Sequence, residues 1–323
     1  MKAFAFALLA TALASISSAG AQTYPSRAIT INVPYAAGGP LDATMRVLAE
    51  GLREVLGQSI IIENVGGAGG SIGVGRAVRA APDGYTISAG NWASHVATGA
   101  IYSLPFDLLK DLEPVSLLPD EADLILSRKG FPAKDLKELI AWLKANPGRA
   151  SAGTSGIGGP SYMSALFFEK VTDTRIQLVP YRGAGPALQD LVAGQVDFMI
   201  TGPAVALPQV REGNIRAYAV TAKNRLPTAP EIPTTDEAGL PGFYFSVWTA
   251  LWAPKDTPKE IIARLNAAVR SALNDPTMRR RLAALELEIP SPDQMTPEAL
   301  GAFHKAEIEK WWPIIKAANI KGE

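Results

Sequence analysis

Short apolar runs alternate with amphipathic stretches along nearly the whole chain. Runs at 29–33, 59–63, 85–89, 124–127, 150–153, 176–180 and 196–200 are bounded by turn-forming or polar residues, a pattern that predicts strands. Between the first two, Met45, Leu48, Leu52 and Leu56 recur at helical spacing, with Asp42 placed to cap that helix. Leu136, Leu139, Ile140 and Leu143 share one face of a helix expected over 134–144. An aromatic-rich strand is expected at 244–253, then helices at 258–273 and 297–318. Strands and helices in alternation predict an α/β fold.

One unit recurs without a fixed period: strand, glycine-bearing loop, helix. It occupies about 29–56, 59–80, 150–169 and 176–193. Open α/β sheets bind ligands beyond the carboxyl ends of their strands, and all four loops fall in that place. In the loops at 34–42 and 154–160, glycines let the backbone come close to a ligand and a helix follows at once. The unpaired N–H groups of its first turn suit an anion. Thr154 and Ser155 add hydroxyls, and Arg182, next to Tyr181, carries a guanidinium fitted to a carboxylate. Asn91, Ser94 and His95, with Trp92 between them, follow another strand and offer donors beside an aromatic wall. Asp197, inside an apolar run, is expected to bond a neighbouring loop.

Composition narrows the function. The 323 residues are 47% hydrophobic, enough for a sizeable core, and Lys+Arg 31 balances Asp+Glu 31, so no basic excess suggests a nucleic-acid partner. Lys2, the apolar run from Ala3 to Ile16 and the small residues Ala19 and Ala21 read as a secretory signal peptide over 1–21. A soluble, exported chain follows, best suited to a periplasm. With Cys 0 the chain has no disulfide, no thiolate chemistry and no lipidated N-terminal cysteine. No metal-ligand spacing, Walker loop or Gly-x-Gly-x-x-Gly is present, so no metal and no cofactor are expected. Gly69-Gly70-Ser71-Ile72-Gly73 matches a nucleophile elbow, which leaves a serine hydrolase using Ser71 as an alternative. Against it, the residues before Ser71 are poor strand material, and the only bases are His95 and His304, the latter reading as surface.

Ordered segments over nearly all the remaining chain resemble the extracytoplasmic receptors of tripartite tricarboxylate transporters, the Bug family. They are Tyr24-Pro25 and 31–42; Glu63-Asn64 with the glycines after it; Ala81 to Tyr85; Gly153 to Pro160; Val179 to Gly183 with Pro186-Ala187; Gly194 to Asp197; Trp248; Ala253-Pro254; and Thr257-Pro258. Tyr162, where a histidine is frequent, Arg182, where lysine is common, and Gly66 in a region usually bearing proline depart from the pattern. The resemblance implies a periplasmic binding protein-like fold: two α/β domains joined by crossover strands in a type II-like hinge. These are expected at 22–126 plus 246–323 and at 127–245. It implies no enzyme, but a monomeric receptor that captures a di-, tri- or aromatic carboxylate and passes it to a two-subunit membrane permease. A ligand-sensing protein without a transport role is the other alternative. Carried over, the contacts come from Tyr35, Ala37, Gly38, Gly39, Asn91, Ser94, His95, Thr154, Ser155, Gly158, Tyr181 and Arg182.

Overall fold

A computed structural model describes residues 24–317 and 319–320; the expected signal peptide lies outside them. Two five-stranded sheets, each covered by helices, form the molecule. The first sheet has the order β2-β1-β3-β10-β4, from β1 (Ile29–Val33), β2 (Ile60–Asn64), β3 (Thr86–Asn91), β4 (Leu112–Ala122) and β10 (Ser246–Pro254). The second has the order β7-β6-β8-β5-β9, from β5 (Leu124–Arg128), β6 (Ser151–Thr154), β7 (Gln177–Pro180), β8 (Phe198–Thr201) and β9 (Ile215–Val220). In both, the strands of the recurring unit run parallel, whereas β10 and β5 are antiparallel to their neighbours.

Ile29, Ile31 and Val33 on β1 are fully buried, as an inner strand with apolar cover requires. α1 (Pro40–Leu56) covers part of that sheet by burying Met45, Leu48 and Leu52, and it ends at Gly57 in the left-handed conformation. α8 (Lys259–Asn274) and α9 (Pro276–Ala284) pack with it. The long α10 (Pro297–Ala317) lies against β4 and a π-helical turn at Ala93–Ala97. The second sheet likewise has an apolar cluster on each face.

The chain passes between the sheets twice, after β4 and before β10, and the two crossings are bonded side by side. The Thr221 amide donates to the Asp123 carbonyl at 2.8 Å, the Phe245 amide to the Thr221 carbonyl at 3.1 Å, and the Asp123 amide to Thr221 Oγ1 at 2.9 Å. Short adjacent crossings of this kind can bend together while each sheet moves as a body.

Two sequence readings change here. Asp42 does not cap α1: Pro40 fixes the first helical position, Gly39 is the cap residue, and Asp42 reaches back from the first turn to the Gly38 amide at 2.9 Å. His304 is buried, with Nε2 2.7 Å from the His95 carbonyl, because Leu300, His304 and Ile308 share the inner face of α10. Asp197 does tie neighbouring segments together, accepting from Arg128 Nε at 2.7 Å and from the Ser151 amide at 3.0 Å.

Candidate functional site

Three helices aim their first turns at the gap between the sheets, and all three begin the same way. α1, α5 (Pro160–Thr172) and α7 (Pro203–Arg211) each have proline at the start, glycine as the cap residue (Gly39, Gly159, Gly202) and no side chain bonded as a cap. Proline has no N–H to waste at that position, and glycine leaves the cap unblocked; Ser155 Oγ nonetheless accepts the Ser161 amide of α5 at 3.2 Å, and Glu121 the Ala204 amide of α7. The N-terminal ends of α1, α5 and α7, with Ala184 at the start of α6 (Ala184–Val192), line one cleft. Several convergent helix ends create a positive potential without a cationic side chain.

The wall from the first sheet is a fixed network. Buried Tyr35 donates its hydroxyl to Asn91 Oδ1 at 3.0 Å, and the same oxygen accepts the Ser94 amide at 3.1 Å. Burial raises the Tyr35 phenol far above its usual range, so it stays a donor. Behind it, Asn64 Nδ2 donates to the Tyr35 carbonyl at 3.1 Å, and Arg46 Nε to Asp42 Oδ2 at 3.0 Å. Burial pushes the Asp42 carboxyl up, but the bonds from Arg46 and Gly38 outweigh it, so Asp42 titrates below its ordinary value.

The hinge side is different in kind. Glu121, at the end of β4, and Asp123, in the crossing, both line the cleft, at 7% and 2% exposure. The Glu121 carboxyl lies against Gly202, where an added Cβ would stand 2.3 Å from it, and it accepts the Ala204 amide. The Ser164 hydroxyl, near Asp123, donates to the Ser161 carbonyl at 3.3 Å. Glu121 Oε2 and Asp123 Oδ2 have no partner. Burial raises Glu121 well above the carboxylate range, with the neighbouring Asp123 and Asp120 adding to it; burial alone pushes Asp123 up to about 7. Among the described residues no lysine, arginine or histidine lines the cleft.

The cleft is shut along its rim by backbone. The Ala36 amide donates across the gap to the Arg182 carbonyl at 3.1 Å, and the Tyr102 hydroxyl to the Ile157 carbonyl at 2.9 Å. A Cβ on Gly185 would stand 2.4 Å from the Ala37 carbonyl oxygen, and one on Gly66 2.5 Å from the Arg182 carbonyl oxygen. Only glycine permits so close an approach.

Of the residues expected from sequence, Tyr35, Gly39, Asn91 and Ser155 line the cleft together. The others sit around it. Ala37 and Gly38 are exposed at the rim; Ser94 serves Asn91; Thr154 bonds the Val179 carbonyl; Gly158 packs near Ile101; and Tyr181 donates to Asp190 at 2.6 Å. Arg182 is exposed, and its carbonyl, not its guanidinium, takes part at the rim. His95 is sealed in the core, its ring 3.7 Å from that of Trp252 and stacked on it; burial, then nearby His304, hold it well below its usual pKa and neutral. Glu121, Asp123, Ser161, Thr201, Gly202 and Thr249 line the cleft and were not expected to. For Gly202 a signal existed: Gly202-Pro203 repeats the Gly39-Pro40 and Gly159-Pro160 pairs. Ser71 opens α2 (Ser71–Val78) directly after a three-residue 3₁₀ turn of Ala68, Gly69 and Gly70, not after a strand.

Residues 44–320 match the family described as the tripartite tricarboxylate transporter family receptor. A UPF0065 protein from the TAR-I ttuE–ttuC' intergenic region of Agrobacterium vitis is 39% identical over 314 residues, covering 97% of this chain and 90% of that one. Protein BugT of Bordetella pertussis is 34% identical over 303 residues, covering 93% and 92%. Among solved structures, MatC of Rhodopseudomonas palustris with bound malate has a TM-score of 0.85 at 41% identity, covering 90% of this chain and 100% of that one. An R. palustris protein with adipate has a TM-score of 0.86 at 31% identity, covering 92% and 99%.

Proposed function

The chain belongs to the tripartite tricarboxylate transporter receptor family, and from that premise we propose that it captures a small organic carboxylate in the cleft between its sheets and does no chemistry on it. The observation that carries this reading is the set of three glycine–proline helix starts, none capped by its own cap residue and all facing one cleft. Amides fixed by helices stabilise an anion without the reorganisation cost of flexible side chains. Two related structures hold small carboxylates, malate and adipate, the class of ligand that such helix ends suit.

The moving bodies we place as expected from sequence, at 22–126 plus 246–323 and at 127–245, except that the first boundary shifts from 126/127 to near Asp123, since β5 (Leu124–Arg128) already belongs to the second sheet. Closure forms the rim bonds and strips water from the ligand; opening by a membrane permease of two subunits reverses this. The two states must lie within a few kcal/mol of each other for capture and release both to occur. No helix among the described residues is long and apolar enough to cross a membrane; the receptor of this reading is periplasmic, monomeric and freed from its leader. Ser71, at a helix start after a 3₁₀ turn, lacks the strand that an elbow nucleophile needs.

Thermal-shift and calorimetric screening of mono-, di-, tri- and aromatic carboxylates tests the reading. A true ligand at a hundred times its Kd stabilises the fold by about 2.7 kcal/mol. If every acid leaves a folded protein's melting unchanged, the receptor reading fails. Ester turnover that disappears in Ser71→Ala would instead establish the hydrolase.

A further inference from the structure

The cleft of an anion receptor has no evident reason to hold two carboxylic acids. Glu121 and Asp123 are more than nine-tenths buried, line the cleft, and each has one oxygen with no hydrogen-bond partner. An unpartnered buried carboxyl oxygen is costly, and an apolar residue of similar volume would avoid that cost. No donor of the protein reaches Glu121 Oε2 or Asp123 Oδ2, and among the described residues no lysine, arginine or histidine lines the cleft. Nor do His, Asp and Glu side chains gather anywhere among the described residues into a trio able to hold a metal ion. The remaining source is the ligand itself.

Resting on the receptor reading above, we propose that Glu121 and Asp123 form a subsite for a hydrogen-donating group, ammonium or hydroxyl, that the ligand carries beside its carboxylate. The ligand's anionic end lies at the first-turn amides, and its donor end meets Glu121 Oε2 and Asp123 Oδ2. An ammonium can give an N–H to each acid and cancel charge; a hydroxyl can satisfy one. A plain dicarboxylate has no donor of its own: it can accept the proton that a neutral acid carries, but it leaves the acid's other oxygen without a partner. Sites built to hydrogen-bond a substituent reject the analogue lacking it strongly, because their own buried groups are then left unpaired.

Calorimetry at neutral pH with two matched series tests this: succinate, malate and aspartate, then glutarate, 2-hydroxyglutarate and glutamate. In at least one series, the hydroxy or amino acid is expected to bind at least about tenfold tighter than the unsubstituted acid, the better of the two naming the donor. Glu121→Gln and Asp123→Asn, checked for folding by circular dichroism, should narrow that gap to below about threefold while the unsubstituted acid binds as well as before or better. Unsubstituted acids that match or beat their substituted partners on the unaltered protein overturn the proposal, whatever the variants do. So does a gap that survives in both variants. If neither series binds but another carboxylate from the screen does, the subsite fails and the receptor stands. If no carboxylate binds at all, the receptor reading falls first.

Discussion

The rim and the hinge side of the same cleft are built from opposite materials. At the rim, carbonyls, amides and glycines from the two sheets meet directly, as in the bond from Ala36 to Arg182 and the approach of Gly185 to Ala37. At the hinge side, Glu121 and Asp123 put ionisable side chains into the space. Backbone groups are alike at every position, so a rim made of them can hold the cleft shut but says little about the ligand inside. Side chains differ, and those at the hinge can discriminate. Holding and choosing are thus separated in space.

The largest expected effect is on the hinge side. The Asp123 pKa rises from 3.8 to about 7 on folding, so the native state holds a proton that the unfolded chain has lost between those values. Stability therefore falls as pH rises from about 4 to about 7, and the penalty, on the order of 4 kcal/mol, is complete above that range. Asp123→Asn should melt at a higher temperature than the parent at pH 8 and at nearly the same temperature at pH 4, followed by calorimetry of the ligand-free protein. Equal melting at pH 8 would mean that the acid is not held in a dry site.

Next comes the rim. Gly185→Ala places a methyl group 2.4 Å from the Ala37 oxygen, which closed lobes cannot accommodate. Affinity for any carboxylate should drop by about a hundredfold or more, with little change in ligand-free melting and no ligand-induced compaction in small-angle scattering. Retained affinity would show that closure is not what holds the ligand.

Tyr35→Phe probes the wall between these regions. It removes the donor to Asn91 Oδ1, which still receives the Ser94 amide, so about 1 kcal/mol of stability should be lost in denaturant unfolding. The smallest effect tests the rim's indifference to side chains. Arg182→Ala leaves the carbonyl that meets Ala36 in place, so affinity should stay within about twofold. A large loss would put the guanidinium back into recognition and blur the contrast.

How much of this was legible in the sequence follows the same division. Central strands buried on both faces appear as short apolar runs, so β1 and β5 were found within a residue or so. Tyr35, Gly39, Asn91 and Ser155 follow such runs directly, and the place where a strand ends in an open α/β sheet foretells a ligand site. Glu121 and Asp123 were not foreseen, because they lie where an antiparallel strand leaves one sheet for the other. Acids between the apolar runs 115–118 and 124–126 read as an ordinary polar link until the crossing is seen. Arg182 was misjudged for a related reason: sequence shows a residue's chemistry but not which of its atoms faces the gap. His304 had a signal in its spacing from Leu300 and Ile308, outweighed by the charges of Lys305, Glu307 and Glu309 around it.

Asp123 belongs to two systems at once. Its amide and carbonyl stitch the crossings that bend, while its carboxyl looks into the cleft. A substitution of the side chain leaves those main-chain bonds in place, so the choice of solute at this position can change without cutting the stitches, and a lineage could turn to a new nutrient while keeping its pace of delivery.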